Sequence, residues 1–314
     1  MIFVQFLLLA LGFAMLIKGA DWFVSGAAGI ATRFGIPQIV IGLTIVAMGT
    51  SAPEAAVSIS SSLAGNADIT IGNIVGSNIL NILIILGVTA TMVPIAVARG
   101  TIKVEIPFMI AISVVLLLLG LDGNITFIDA LILIGLFAVY MIYLFRQAKS
   151  GISSGENSAE EEHHRKPKKI PLLIMLTAVG VVIIVFGSQI TVNAATEIAK
   201  FFGASERFIG LTVVALGTSL PELFTSVTAA KKGNADIAIG NIVGSNIFNI
   251  LFIVGISGLI TTVPFDSAFI TDTIISIGAS VLLWVFCLIS KGLRRYAGII
   301  FLAGYAGYFI YLLR

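Results

Sequence analysis

The sequence predicts an all-α integral membrane protein with ten transmembrane helices, arranged as two inverted-topology repeats of five helices, with the second and seventh helices broken. Three observations predict this fold: the composition, an internal repeat, and the distribution of basic residues. Of the 314 residues, 58% are hydrophobic and only 11% are charged, whereas soluble domains are about a quarter charged. The composition therefore excludes a soluble globular protein, and the length accommodates about ten helices of about 20 residues each.

Two motifs occur twice in the chain at a constant offset of 168 residues. The segment IGLTIVAMGTSAPE at 41–54 matches IGLTVVALGTSLPE at 209–222 in 11 of 14 positions. The segment GNADITIGNIVGSNILNIL at 65–83 matches GNADIAIGNIVGSNIFNIL at 233–251 in 17 of 19 positions. The repeat divides the chain into three parts: a first repeat at 1–147, a linker at 148–169 and a second repeat at 170–314.

Apolar runs place five spans in each repeat. Because five is an odd number, the second repeat enters the membrane from the opposite side, which gives the two repeats inverted topology. The apolar run from Ile2 to Ile17 is expected to be the first span and not a cleaved leader, because it lacks a basic amino-terminal region and has a partner in the second repeat. The predicted spans are 2–25, 36–64, 69–93, 104–121, 126–146, 170–193, 205–231, 237–261, 269–290 and 295–313.

The basic residues predict the orientation of the chain in a cell membrane. With the linker in the cytoplasm, fifteen of the 18 Lys and Arg residues lie on the cytoplasmic side, and only Lys200, Arg207 and Arg314 lie on the other. By the positive-inside rule, both termini are then extracellular. The linker carries an acidic and histidine cluster at 160–164 that could bind a metal weakly, but we expect a solvated connector.

Two glutamates, Glu54 and Glu222, lie near the middle of long apolar stretches at equivalent repeat positions. An ionisable group at bilayer depth costs a few kcal/mol or more, so this pair predicts a functional site. The alternative is a pair of protonated glutamates that serve packing. The other acids lie near span ends, where Asp68 and Asp236 are expected to cap helices.

Both glutamates follow the pattern Gly-Thr-Ser-x-Pro-Glu. Pro53 and Pro221 lack a backbone N–H and clash with the preceding turn, so each helix should break there. A break at bilayer depth frees carbonyl oxygens, which are tolerated only against protein or a water-filled cavity. Together with the hydroxyls of Thr50, Ser51, Thr218 and Ser219, these groups form an all-oxygen set. Such a set suits hard cations such as Ca²⁺ and disfavours zinc and copper.

The second motif adds further oxygens. Its Asn and Ser residues recur every four positions, so they share one helix face in each repeat. Their amide and hydroxyl oxygens are candidate neutral ligands, although hydrogen bonding between helices is the alternative. The two sets are Asn73, Ser77 and Asn81 in the first repeat and Asn241, Ser245 and Asn249 in the second.

The charge of the glutamate pair limits the mechanism. Two ionised glutamates contribute a charge of −2, which one Ca²⁺ or two monovalent cations would neutralise and three monovalent cations would turn to +1. An empty site would have to bury the uncompensated charge while its access switches, which is costly. The sequence therefore predicts obligatory exchange of cations around a fixed site with alternating access.

The duplicated GTSxPE and GNxxGSNxxN segments resemble the α-repeats of the sodium/calcium exchanger family, in its short-loop archaeal and bacterial form. The resemblance implies an antiporter, not an enzyme, that exchanges three Na⁺ for one Ca²⁺. It implies Na⁺ and Ca²⁺ as transported ions, no prosthetic group, no nucleic-acid partner, and function as a monomer in the lipid bilayer. It also implies four cation sites between spans two, three, seven and eight.

Position by position, the resemblance assigns a role to each candidate ligand. One departure concerns the middle site, where many members carry an Asp and this chain has Asn at both positions, so a possible third carboxylate is lost. For Ca²⁺ the implied ligands are Glu54 and Glu222, which also serve Na⁺, and the carbonyls of Thr50 and Thr218. Two flanking Na⁺ sites are implied, one at Ser51 with Ser77 and one at Ser219 with Ser245, together with the carbonyls of Ala47 and Ala215. The middle site is implied at Asn81 and Asn249.

Other functions remain open at this point. A Ca²⁺/H⁺ exchanger or a K⁺-dependent Na⁺/Ca²⁺ exchanger would use the same carboxylates, but the Gly-Thr-Ser-x-Pro-Glu form resembles the Na⁺ branch. A cation channel needs a continuous pore, often on an oligomer axis, which a pseudo-symmetric site within one chain does not suggest. A membrane enzyme is disfavoured because the motifs contain no histidine, cysteine or Ser–Lys pair.

Overall fold

A computed structural model of the chain describes residues 2–154, 169–203 and 215–312. Within these ranges the chain is helical apart from turns and two small two-stranded sheets. The linker cluster at 160–164 and Arg207 lie outside the described residues. The helices are α1 (Ile2–Phe34), α2 (Gln38–Thr50), α3 (Ala52–Leu63), α4 (Asp68–Met92), α5 (Thr101–Gly120), α6 (Phe127–Ser154), α7 (Ile170–Phe201), α8 (Ala215–Thr218), α9 (Leu220–Lys231), α10 (Ala235–Ile260), α11 (Ser267–Ser290) and α12 (Arg295–Leu312).

The described helices confirm the all-α membrane class. Seven of them are long and apolar enough to cross a membrane, and the bent pair α2 and α3 makes an eighth. Helices α8 and α9 cover the described part of the predicted span 205–231. The 18-residue helix α12 corresponds to the predicted span 295–313. The count of ten spans stays a prediction.

Large apolar side chains cover the outer surfaces of several helices. Phe3, Phe145 and Ile289 each expose 70% or more of their surface. Soluble proteins rarely expose contiguous apolar surface on this scale. Lipid-facing helices expose such side chains, because the hydrocarbon of the bilayer solvates them.

By its contacts the chain divides into two compact units. The first comprises Met1–Thr50 and Val139–Asn241, and the second comprises Ser51–Ala138 and Ile242–Arg314. Each unit therefore contains segments from both sequence repeats.

In the first unit, α1 and α7 pack closely along a seam of glycines. A Cβ atom on Gly12 would lie 3.0 Å from the carbonyl oxygen of Gly187, and one on Gly19 would lie 3.0 Å from that of Gly180. Residues increase along α1 as they decrease along α7, so the helices are antiparallel. Gly12 and Gly19 are the repeat equivalents of Gly180 and Gly187. The contacts are thus reciprocal, as a local two-fold relation between the two helices requires.

The two small sheets of the second unit show the same reciprocity. Strand β1 (Ile95–Ala96) pairs antiparallel with β4 (Gly292–Leu293), and β2 (Asn124–Ile125) pairs antiparallel with β3 (Val263–Pro264). Adding the repeat offset of 168 to β1 gives β3, and adding it to β2 gives β4. One strand pair is therefore the repeat equivalent of the other, in the same register.

Helix α4 is buried in the second unit and contains a π-helical turn. This turn spans Asn81–Leu86, and a second one in α10 spans Asn249–Val254. The two turns begin at equivalent repeat positions. The described residues contain two further π-helical turns, Gly42–Val46 in α2 and Thr101–Glu105 in α5. Because π-helical turns often occur at functional sites, the repeat-equivalent pair directs attention to these two asparagines.

The glutamate-bearing helices α3 and α9 are each followed, two residues after their last residue, by a glycine in the left-handed region. Gly65 has a φ of 82° and Gly233 a φ of 80°, a conformation that glycine adopts without steric cost. The following helix begins at Asp68, after Ala67 in the capping position. The expected capping role of Asp68 is therefore wrong. Its carboxylate lies in the first turn, where it interacts favourably with the helix dipole.

Candidate cation-binding site

The two predicted helix breaks are present, each at a serine. Ser51 separates α2 from α3 with φ −79° and ψ 9°, and Ser219 separates α8 from α9 with φ −89° and ψ 5°. A proline follows in the first turn of each new helix, where its missing N–H costs no hydrogen bond. Glu54 and Glu222 lie in the same first turns. The Gly-Thr-Ser-x-Pro-Glu pattern therefore positions each carboxylate at the positive end of a helix dipole.

Both glutamates are almost completely buried. Glu54 and Glu222 are each 1% exposed. Burial of a carboxylate is costly unless hydrogen bonds or a positive charge compensate for it. The same level of burial at both repeat positions shows that the two glutamates have equivalent environments.

In the first unit, Asn241 connects the break in α2 to the glutamate of α9. The hydroxyl of Thr50 donates to Asn241 Oδ1 at 3.0 Å, and the carbonyl oxygen of Ala47, at 3.3 Å, is the alternative acceptor for its single hydrogen. Asn241 Nδ2 donates to the carbonyl oxygen of Glu222 at 3.3 Å and to Ser226 Oγ at 2.9 Å. The amide nitrogen of Asn241 thus holds the glutamate helix α9, and its oxygen holds the end of α2.

The second unit repeats the amide-nitrogen contacts of this arrangement around Glu54. Asn73 Nδ2 donates to the carbonyl oxygen of Glu54 at 3.3 Å and to Ser58 Oγ at 2.9 Å. For Asn73 and Asn241, hydrogen bonding between helices is therefore the observed role. The sequence interpretation missed the serine partners of these amides. Their signal was a pair of repeat-equivalent serines, Ser58 and Ser226, one turn beyond each glutamate.

The second unit also brings Asn81 and Asn249 together through two further asparagines. Asn81 Nδ2 donates to Asn246 Oδ1 at 2.9 Å, and Asn249 Nδ2 donates to Asn78 Oδ1 at 3.0 Å. Among the described residues, no hydrogen-bond donor reaches Oδ1 of Asn81 or of Asn249. Each of these residues is 1% exposed. Two buried carbonyl-type oxygens are therefore available to a cation.

The remaining candidate ligands are largely buried as well. Ser51, Ser77 and Ser245 lie in the second unit, at 0%, 4% and 0% exposure. In the first unit Ser219 is 3% exposed, and no described donor reaches its hydroxyl oxygen. Thr218 is half-buried at the end of α8, which begins at Ala215.

The chemistry of these groups favours a hard cation. Among the described residues, no group of three or more His, Cys, Asp or Glu side chains forms a metal-binding cluster. Within each unit, most of the candidate ligands are hydroxyl, amide and carbonyl oxygens. Na⁺ and Ca²⁺ accept such ligands, whereas zinc and copper prefer nitrogen and sulfur.

Comparison with known proteins gives a consistent result over the whole chain. The family model described as sodium/calcium exchanger protein matches residues 4–146 and 172–314. The putative antiporter CaxA of Alkalimonas amylolytica is 38% identical over 302 residues, covering 95% of both chains. The sodium/calcium exchanger MaX1 of Methanosarcina acetivorans is 32% identical over an alignment of 352 residues, covering 99% of both chains.

A solved structure is similar over the full length. The sodium-calcium exchanger NCX_Mj, in crystals soaked with zero Na⁺ and Ca²⁺, superimposes with a TM-score of 0.85 at 32% sequence identity. The match covers 100% of both chains.

Proposed function

The chain belongs to the sodium/calcium exchanger family, whose members are membrane transporters and not enzymes, and we propose that it is a secondary active antiporter that exchanges Na⁺ for Ca²⁺ across the cell membrane. One observation carries the proposal. Two repeat-equivalent glutamates, Glu54 and Glu222, are each 1% exposed in the first turn of a helix that restarts after a break. Neutral oxygens accompany them in the motifs, which suits hard cations.

The candidate ligands keep the roles that their motifs imply. Burial of every one of them whose exposure is described, with Thr218 only half-buried, supports these roles. The transported ions are substrates, and the proposal involves no prosthetic group. We assign Ca²⁺ to Glu54 and Glu222 with the carbonyls of Thr50 and Thr218. We assign the middle site to Asn81 and Asn249. We assign one flanking Na⁺ to Ser51 and Ser77 and the other to Ser219 and Ser245, with the carbonyls of Ala47 and Ala215.

The exchange is electrogenic at three Na⁺ for one Ca²⁺. The two ionised glutamates carry a charge of −2, which one Ca²⁺ neutralises and three Na⁺ convert to +1. Both loaded states bury less uncompensated charge than the empty protein does, so the loaded site switches its access between the two sides of the membrane more readily. The empty site then stays open to one side only, so movement of Ca²⁺ in one direction requires movement of Na⁺ in the other.

Alternating access rests on two inverted repeats, residues 1–147 and 170–314, joined by a cytoplasmic linker at 148–169. The reciprocal glycine contacts between α1 and α7 support this arrangement, since repeat-equivalent helices run antiparallel there. The reciprocal registers of the small sheets support it as well. Inverted repeats offer two conformations of similar energy that open to opposite sides of the membrane.

We propose that both termini are extracellular and that the protein functions as a monomer. The excess of Lys and Arg on the linker side supports extracellular termini. Because one chain contains both repeats and all proposed ligands, the monomer suffices for transport. A C-terminal fusion to a reporter that is active only outside the cytoplasm should be active, whereas a cytoplasm-dependent reporter at the same position should be silent.

The function is tested by uptake of radioactive Ca²⁺ into proteoliposomes loaded with Na⁺, K⁺ or choline, at equal pH and with a protonophore present. Uptake only from Na⁺-loaded vesicles is expected, and the double variant Glu54→Gln, Glu222→Gln serves as the blank. Exchange of three Na⁺ for one Ca²⁺ moves one net positive charge out of the vesicle, so an inside-positive potential, imposed in a parallel assay without the protonophore, should accelerate uptake. Uptake that ignores internal Na⁺ but follows a pH gradient would assign the protein to Ca²⁺/H⁺ exchange instead.

A further inference from the structure

Four asparagines form a reciprocal hydrogen-bonded cluster in the second unit. Asn78 Nδ2 donates to the backbone carbonyl of Asn246, and Asn246 Nδ2 donates to the backbone carbonyl of Asn78, both at 3.3 Å. Asn81 Nδ2 donates to Asn246 Oδ1 at 2.9 Å, and Asn249 Nδ2 to Asn78 Oδ1 at 3.0 Å. All four side chains are 2% exposed or less. Asn78 and Asn246 are the asparagines that follow Gly-Ser in the duplicated motif, and the resemblance assigns them no role.

The two backbone carbonyls fix the orientation of all four amides. A carbonyl oxygen only accepts hydrogen bonds, so the atom of Asn78 or Asn246 that contacts it must be the amide nitrogen. Their other side-chain atom is then the oxygen, which in turn requires an amide nitrogen from Asn81 or Asn249. The remaining atom of Asn81 and of Asn249 is consequently the oxygen, Oδ1.

These two oxygens are buried and receive no hydrogen bond from the described residues. A buried polar atom without a partner costs about 1–3 kcal/mol, so such an atom needs an explanation. The π-helical turns that begin at Asn81 and Asn249 set these residues apart from ordinary helical positions.

We propose that Asn78 and Asn246 are positioning residues that hold the amides of Asn249 and Asn81 in the orientation that presents oxygen, and not nitrogen, to the transported cation. The proposal rests on the proposed function, in which Asn81 and Asn249 line the middle site, and it extends that function by making their oxygens ligands of Ca²⁺ as well. An amide that rotates by half a turn offers NH₂ to the cation, which removes a ligand and adds repulsion.

The need for such positioning follows from the presence of Asn at both middle-site positions. A carboxylate presents an oxygen in either orientation, whereas an amide does so in only one. Asn78 therefore acts on Asn249, and Asn246 acts on Asn81, each through one hydrogen bond. The two pairs are related by the repeat offset, which predicts that loss of either positioning residue has the same kind of effect.

The test is a set of rescue variants measured by equilibrium binding of radioactive Ca²⁺ to the purified protein and by Na⁺-driven Ca²⁺ uptake. Asn246→Ala should weaken Ca²⁺ binding and raise the KM for Ca²⁺ by about tenfold or more, as loss of a group that orients a metal ligand commonly does. Adding Asn81→Asp to Asn246→Ala should restore binding to within about threefold of the wild type, because either oxygen of Asp can face the cation. Asn78→Ala should be rescued in the same way by Asn249→Asp.

The crossed combinations are the matched controls. Asn78→Ala with Asn81→Asp and Asn246→Ala with Asn249→Asp should stay impaired, although they add the same charge. The proposal would be overturned if Asn81→Asp and Asn249→Asp both restored binding in the Asn78→Ala and the Asn246→Ala backgrounds alike. It would also be overturned if neither Asp variant restored binding in either background. If Asn246→Ala does not purify as a folded species, Asn246→Ser repeats the test, because the shorter hydroxyl side chain does not reach Asn81. The binding measurement does not depend on the coupling ion, so failure of Na⁺-driven uptake in the wild type would count against the proposed function alone.

Discussion

The amine of Lys232 lies 2.7 Å from the carboxylate of Asp21, and this ion pair joins the end of α9 to α1 within the first unit. The same amine donates to the carbonyl oxygen of Asp21 at 2.8 Å and to Ser25 Oγ at 2.6 Å. The repeat equivalents of Asp21 and Lys232 are Gln189 and Ala64. The ion pair is therefore present in one repeat only, and it is a feature in which the two repeats differ.

The first prediction is that Lys232→Met lowers the thermal unfolding midpoint slightly. The two side chains are 29% and 45% exposed, and partly exposed ion pairs contribute about 0.2–1 kcal/mol. The charge-swapped double variant Asp21→Lys, Lys232→Asp should recover most of the loss. Lys231→Met, at the adjacent position, is the control. Equal midpoints for Lys232→Met and Lys231→Met would show that the ion pair contributes no measurable stability.

The second prediction concerns the glycine seam between α1 and α7. A Cβ atom on Gly187 would lie 2.8 Å from Met15 Cβ and 3.1 Å from the carbonyl oxygen of Gly12. Gly187→Ala should therefore push the helices apart and destabilise the protein by about 1–3 kcal/mol. The readout is the thermal unfolding midpoint in detergent.

Gly278→Ala in α11 is the matched control, because no heavy atom lies within 4 Å of the Cβ position there. Helix propensity alone then applies, and the substitution should stabilise the protein by up to about 1 kcal/mol. Similar behaviour of the two alanine variants would contradict close packing along the seam.

The third prediction is that Asn241→Ala destabilises the protein more than Ser226→Ala does. The asparagine variant loses the bonds to Glu222, Ser226 and Thr50, whereas the serine variant loses one acceptor. Removal of a buried hydrogen-bond partner costs about 1–3 kcal/mol, so the losses should differ clearly. A double-mutant cycle on the unfolding midpoints should reveal coupling, since the residues are in contact. Additive effects would indicate that the bond contributes little.

Much of this architecture was predictable because local chemistry determines it. Pro53 and Pro221 predict a break in each helix, and the breaks are present two residues earlier, at Ser51 and Ser219. The internal repeat predicts that equivalent residues share an environment, and both glutamates are equally buried. These inferences needed only backbone sterics and the cost of burying charge.

Other features were not predictable because they depend on tertiary contacts. Spacing places Asn73 and Asn81 on one helix face, but it does not reveal that Asn73 contacts Ser58 while Asn81 contacts Asn246. The π-helical turn at Asn81 has no propensity signal in the sequence. The N-terminal helix extends to Phe34, beyond the predicted end at 25, because small residues continue the packing seam where hydrophobicity declines.

The last prediction is that Asn249→Asp makes Ca²⁺ uptake more sensitive to acid. Asn249 Nδ2 lies 3.0 Å from Asn78 Oδ1, which is an acceptor. A protonated Asp can donate the same hydrogen bond to this oxygen, whereas an ionised Asp cannot, so a proton competes with Ca²⁺ at this position. As the pH falls, the variant should lose a negative charge and its KM for Ca²⁺ should rise more steeply than that of the wild type, whose amide does not titrate.

The measurement is Na⁺-driven Ca²⁺ uptake from neutral to mildly acidic pH, compared between the wild type, Asn249→Asp and Asn124→Asp. Asn124 lies exposed in strand β2, so its substitution adds the same titratable group away from the proposed ligands. A steeper profile for Asn249→Asp alone is expected. A profile that coincides with those of the wild type and Asn124→Asp would mean that position 249 does not contribute a ligand to the Ca²⁺ site.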